Sequence, residues 1–205
     1  NKTQSIKILE VTSYAEVVMA SQASDEAHPA FSNLFVQTQI VPEHNTIFCT
    51  RRPRSEEEIP PWMFHLMHVN GSDVQAVSYE TDRMQFTGRG RTLQHPQALE
   101  DGVLSGKDGS VLDPIMSIRY SIIIKPNQTA TVDLIYGIAE TKDACESLMY
   151  KYQDRHLKNR AFELSWTHNQ VLLRQINATE SDAQLYNRLA ASVIYANAPL
   201  RADAA

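Results

Sequence analysis

The stretch Tyr79-Glu80-Thr81-Asp82-Arg83-Met84-Gln85-Phe86-Thr87-Gly88-Arg89-Gly90-Arg91-Thr92 concentrates side chains that can recognise oxygen-rich groups. Each guanidinium of Arg83, Arg89 and Arg91 offers a planar fork of donors suited to carboxylate, phosphate or sugar hydroxyl groups. Gly88 and Gly90 let the chain turn through backbone angles closed to other residues. Taken on the residues alone, scaffolding is the stronger reading: Arg83 pairs with Asp82 or Glu80 and pins a loop to a sheet, as ion-pair networks commonly do.

Other chemistry-bearing residues read as structural. His65 and His68 lie an odd number of positions apart in a strand, so they face opposite ways and do not share one metal ion. Cys49 and Cys145 are the only two cysteines, far apart in sequence; packed, reduced thiols are expected rather than a disulfide framework or a zinc site. The charges of Arg51-Arg52-Pro53-Arg54-Ser55-Glu56-Glu57-Glu58 offset each other, which describes a solvated loop better than a phosphate cradle. Trp62 reads as core, not as a sugar-stacking platform. Sequons at Asn1, Asn70, Asn127 and Asn177 fall mostly where turns or helix starts favour such residues, and are taken as incidental.

The elements that must position these residues begin as β. Residues 6–13 and 15–20 are strand-like, residues 21–32 form a connecting loop with an extended His28-Pro29, and Leu34, Val36, Thr38 and Ile40 alternate with Asn33, Phe35, Gln37 and Gln39. Residues 46–50 follow a turn at 42–45. Trp62, Phe64 and Leu66 face one way and Met63, Met67 and Val69 the other, so residues 62–69 predict a strand buried on both sides. Asn70-Gly71 signals a hairpin whose return strand is 74–79, and Pro126-Asn127 a second hairpin between 116–125 and 129–139. Residues 93–114 are irregular, a loop length usually reserved for function or for contact with a neighbouring surface. Beyond Ala139 the period becomes helical: Thr141 caps a helix with Cys145, Leu148 and Met149 on one stripe, and a second helix spans about 155–176. A third begins at Thr179-Glu180-Ser181-Asp182, buries Tyr186, Leu189, Ala190, Val193 and Ile194, and stops at Asn197-Ala198-Pro199.

Bulk numbers exclude some classes. The 205 residues are 42% hydrophobic with a net charge of −5, sufficient for a real core and without the basic footprint of a general nucleic-acid binder. No apolar run is long enough to span a bilayer, and the start has no signal-peptide core. Without an initiator Met, and ending Arg201-Ala202-Asp203-Ala204-Ala205, the sequence reads as a piece of something longer.

Four segments in order resemble one family: Tyr79–Arg83 with Gly88–Arg91, Leu104–Gly106 with Leu112–Ile115, Ala161–His168, and Leu185–Ala190 with Tyr195–Asn197. Together they are similar to the part of glycoside hydrolase family 94 enzymes that precedes the catalytic barrel. The likeness is to members of the cyclic β-1,2-glucan synthase type, with β-1,2-oligoglucan phosphorylases close behind. The resemblance implies a mainly β fold with a helical C-terminal segment: a large antiparallel β-sandwich (supersandwich) over residues 1–139, then a helical linker over 140–205 leading into an α/α barrel outside this chain. It places the family's Asp general acid in that barrel, so no residue here is expected to be catalytic and the fragment is expected to be inactive alone. No metal and no cofactor are expected, inorganic phosphate being a co-substrate if the parent is a phosphorylase. The implied role is a non-catalytic accessory domain in which Asp82, Arg83, Arg89 and Arg91 contact sugar or brace the cleft. The alternative is an independent carbohydrate-binding or adhesion module. The partners implied are a β-linked glucan and the barrel of the same polypeptide, with a homodimer compatible and no nucleic acid. The expected location is cytoplasmic, any inner-membrane anchor lying outside this segment.

Overall fold

A computed structural model describes residues 1–53, 55–100 and 102–195, with Arg155 as backbone only. The expected helix stop at 197–199 lies outside the described residues. By its contacts the chain divides into two units, Asn1–Gln153 and Asp154–Ala205.

In the first unit the strands are β1 (Lys7–Thr12), β2 (Ala15–Glu16), β3 (Val36–Val41), β4 (Thr46–Arg51) and β5 (Trp62–Asn70). After them come β6 (Asp73–Asp82), β7 (Gly109–Ser110), β8 (Pro114–Ile124) and β9 (Thr131–Ala139). One sheet is centred on β8, with β1 and β2 along one edge and β6 along the other. The second runs β7-β3-β4-β5-β9. All these pairings are antiparallel. The inner faces meet in a core of Val36, Ile47, Cys49 and Met67 from one sheet against Tyr79, Met116, Ile118 and Ile122 from the other. This is the expected antiparallel β-sandwich.

Strand β5 is buried on both faces, as its sequence predicts, and the second cover is a helix. Met67 faces the inter-sheet core, whereas Phe64 and Leu66 pack with Cys145 and Met149 of α4 (Lys142–Gln153). Both cysteines are free and buried. Thr141 caps α4 as expected, its Oγ1 accepting from the Ala144 N–H at 3.2 Å.

Neither expected hairpin forms. β5 pairs with β9 and β6 pairs with β8, so the turns at Asn70-Gly71 and Pro126-Asn127 each carry the chain from one sheet to the other. A turn signal reports reversal of direction; pairing is decided by which faces must be buried. The two crossings touch. Gly71 has φ +79°, and a Cβ there would lie 2.4 Å from the Thr129 carbonyl oxygen. Asn127 also takes a positive φ.

Two further expectations are corrected locally. Residues 21–32 are not a plain loop: Ser21 caps α1 (Gln22–Ala27), and Pro29 sits in the first turn of α2 (Pro29–Asn33). Arg51 is not solvated; it ends β4, 4% exposed, and donates to the Met19 carbonyl at 3.3 Å.

The long segment after β6 is held against the sheet. Phe86 of α3 (Arg83–Thr87), Ala98 and Leu104 pack on Ile115 beside Tyr14, covering the outer face of the first sheet. The Gly106 N–H donates to the Tyr79 carbonyl at 2.9 Å and β7 pairs with β3, so residues 106–110 bridge the two sheets at that edge. On the opposite side β9 is an edge strand, with Leu134, Tyr136 and Ile138 exposed.

The second unit contains α5 (Arg155–Gln175) and α6 (Glu180–Ile194). Asp154 caps α5, and a reciprocal capping box between Thr179 and Asp182 opens α6 where the sequence places it. The expected burial of Tyr186, Leu189, Val193 and Ile194 does not occur; α6 has no buried residue. No helix among the described residues is long and apolar enough to cross a membrane.

Candidate functional site

The arginine–glycine stretch leaves β6 through two acids whose carboxylates accept backbone N–H groups. Glu80, 2% exposed, accepts the N–H groups of Thr81 and Asp82 at 2.9 and 3.0 Å and that of Ser105 at 3.3 Å. Asp82 caps α3, accepting the Met84 N–H at 2.8 Å. Both carboxylates are thereby committed to backbone donors, so neither pairs with Arg83. That guanidinium reaches instead to Asp113, 3.1 Å away, and to Glu16 at 3.4 Å. The hydrogen bond to Asp113 is the main cause of an upward shift in the Arg83 pKa. Glu16 also accepts from the Tyr14 hydroxyl at 3.0 Å. Burial first, and then this hydrogen bond, push the Tyr14 pKa up to about 12. Sequence reasoning missed Asp113 because it enters from β8's approach, thirty positions along the chain.

Gly88 ends α3 at φ +83°, ψ 153°, a region essentially reserved for glycine, and a Cβ there would lie 2.7 Å from Gln97. Beyond it the chain folds back around an open groove of about 670 Å³ lined by Arg83, Arg91, Thr92, Gln94 and Asp113. Arg91 binds Glu100 at 2.6 Å, which holds the Glu100 carboxyl below its ordinary pKa. The four residues singled out from the sequence thus separate. Arg83 and Arg91 line the groove, Asp82 serves as a helix cap, and Arg89 is exposed outside the lining, forming no ion pair among the described residues.

A smaller groove of about 390 Å³ lies where β4, β5 and α4 meet, lined by Trp62, Arg52, Gln37, Glu140 and Lys142 among others. Trp62 is half-buried: it packs against the α4 cluster, yet part of it borders this groove. It is therefore not the simple core residue its strand pattern suggests.

One pair looks catalytic in outline. Ser13 Oγ lies 2.8 Å from His65 Nε2. However, His65 Nδ1 faces the Ile135 carbonyl at 3.3 Å, so Nδ1 carries the proton and Nε2 accepts from the Ser13 hydroxyl. Both residues are buried, and burial lowers the His65 pKa to about 4. No substrate reaches them; they satisfy one another in the core. His68 contacts Asn70 instead, at 3.0 Å.

The sequence matches the model of the glycosyl hydrolase 94 supersandwich domain over residues 1–155. The chain belongs to the glycoside hydrolase family 94 supersandwich family. It is also 33% identical over 199 residues to cyclic beta-(1,2)-glucan synthase NdvB of Rhizobium meliloti (strain 1021). That alignment covers 97% of this chain and 7% of the relative's length. As a family 94 supersandwich it shows a two-sheet core, a helix docked on the outer face of the larger sheet, and the arginine groove on a loop clamped to the smaller one.

Proposed function

We propose that this chain is a non-catalytic accessory domain of a β-1,2-glucan-processing enzyme. Its arginine groove forms part of the wall of a sugar cleft completed by a barrel elsewhere in the polypeptide. The observation that carries this reading is the likeness to a cyclic β-(1,2)-glucan synthase along 97% of the chain. The groove's chemistry is consistent with it. Arg83 and Arg91 are steered by Asp113 and Glu100, yet their side chains remain about 40% and 37% exposed at the groove, where planar guanidinium forks suit sugar hydroxyls. Asp82 acts by fixing α3, and Arg89 adds an exposed guanidinium beside the groove. Bond breaking needs a proton donor beside the glycosidic oxygen, and we assign that donor and the inorganic phosphate of a phosphorolytic parent to the barrel.

The test is incubation of the chain with linear β-1,2-glucan and phosphate, assayed for glucose 1-phosphate and for shortened glucan. No turnover is expected. Activity that persists through repeated purification would overturn the accessory role.

A further inference from the structure

We infer that the groove at Trp62 is a separate holding site for a β-linked glucan chain; this rests on the reading of the domain as part of a glucan-processing enzyme. Carbohydrate sites combine an aromatic surface, which meets the apolar C–H face of a pyranose ring, with planar side chains that bind hydroxyl pairs. The Trp62 groove has both parts. Around the half-buried indole stand Arg52, Gln37 and Glu140, all exposed. None of these three side chains forms a hydrogen bond or ion pair among the described residues, although Arg52 and Glu140 carry opposite charges in one groove. Arg52 is held instead by its ring contact, its guanidinium 5.6 Å from the Phe35 centroid, while its N–H donates to the Phe35 carbonyl at 2.8 Å.

The indole is anchored through its backbone in the sheet. Trp62 follows Pro60-Pro61 and sits in register between Thr50 and Ala139. The Lys142 ammonium lies 5.7 Å from the Trp62 ring centroid and donates to Gln39 at 2.9 Å, so it belongs to the frame. Donors and acceptors together suit a neutral polyol, which offers both through each hydroxyl. A phosphate ester would meet Glu140 as a like charge but Arg52 and Lys142 as opposite ones, so competition by inorganic phosphate is part of the test. A volume of about 390 Å³ falls within the range of small-molecule sites, near its lower end. Affinity from so open a groove is weak, and its use is to keep a polymer close by adding to contacts elsewhere.

Trp62 and Trp166 are the chain's two tryptophans, so Trp166→Phe leaves Trp62 as the sole indole reporter. In that background, titration with a linear β-1,2-gluco-oligosaccharide should change Trp62 emission with a dissociation constant of about 1 mM. Arg52→Ala and Glu140→Gln should each weaken it about 3- to 10-fold, the loss of one or two hydrogen bonds. Amide shifts in the unsubstituted chain should centre on Gln37, Arg52, Trp62 and Glu140, which also serves if Trp166→Phe misfolds. The inference is overturned by no response up to about 20 mM sugar, by shifts centred on 83–94, or by inorganic phosphate displacing the sugar. Shifts centred on 83–94 would leave the accessory-domain reading intact. Glucan turnover would sink that reading while leaving the Trp62 titration interpretable.

Discussion

Both grooves set arginine near an acid and an amide side chain, but only the smaller adds an aromatic ring, and they differ in what their charges are already doing. At the larger one, Arg83 and Arg91 each have an acid within salt-bridge distance, and the loop carrying them is clamped to the sheet through Phe86, Ala98 and Leu104. At the smaller one, Arg52 and Glu140 stand in the same groove without an ion pair among the described residues. A charge with a protein partner shapes the fold first and binds a ligand with what remains. A charge held by ring contacts or backbone keeps its hydrogen-bonding capacity. Removing side chains should therefore cost stability at the first groove and binding at the second.

The largest effect should remove both grooves together, because it acts on the core beneath them. His65 has a pKa near 4 when folded, against about 6.5 for a free histidine, so the unfolded chain takes up its proton first as pH falls. The stability tied to neutral His65 is fully present above about pH 6.5 and is lost progressively toward pH 4. The loss is on the order of 3 kcal/mol, or roughly 10 °C in melting temperature. Thermal melts between pH 7 and 4 should show it, and His65→Gln should flatten the dependence from a lower starting stability.

Next in size come the two glycines of the arginine loop. Gly88→Ala should cost about 2 kcal/mol, combining a backbone region closed to alanine with a clash against Gln97. Gly90 has φ +74° with open space around it, so Gly90→Ala should cost about 1 kcal/mol from the backbone alone. Denaturant titrations giving equal losses would mean that the loop is not clamped where Gly88 meets Gln97.

The smallest effects sharpen the contrast most. Arg83→Ala should destabilise the chain by about 1 kcal/mol, a modest figure because both ion pairs are substantially exposed and screened. Arg52→Ala should stay within about 0.5 kcal/mol, as for an exposed side chain without a charge partner. Melting curves of the two variants side by side would expose a reversal, which would make Arg52 scaffold and Arg83 the freer group.

What the sequence made legible followed from local chemistry. Thr141 and the Thr179–Asp182 box sit where helix caps belong, and the two apolar faces of residues 62–69 announced a strand covered twice. The misreadings came from partners distant in sequence. Glu80 and Asp82 look like mates for Arg83 by proximity, but backbone N–H groups claim them, and Asp113 reaches Arg83 from the segment that leads into β8. Trp62 was read from alternation, which gives the face of a strand but not that the strand begins at a groove. The stripe of α6 shows an amphipathic helix, and periodicity does not state whether anything in this chain covers it.

The crossed connections at Gly71 and Asn127 bear on how the molecule is made. Because β5 waits for β9 and β6 waits for β8, the larger sheet cannot gain its last strand, nor the smaller its middle one, from chain segments adjacent in synthesis. A nascent chain that has emerged only as far as Asp82 holds β1 to β6, with an obvious turn between β5 and β6 and the native partner of β6 not yet made. A β5–β6 hairpin would be non-native, and the sandwich closes only where that pairing is absent. The contact between Gly71 and Thr129 joins the two crossings, so the domain completes itself late, when residues past 129 arrive.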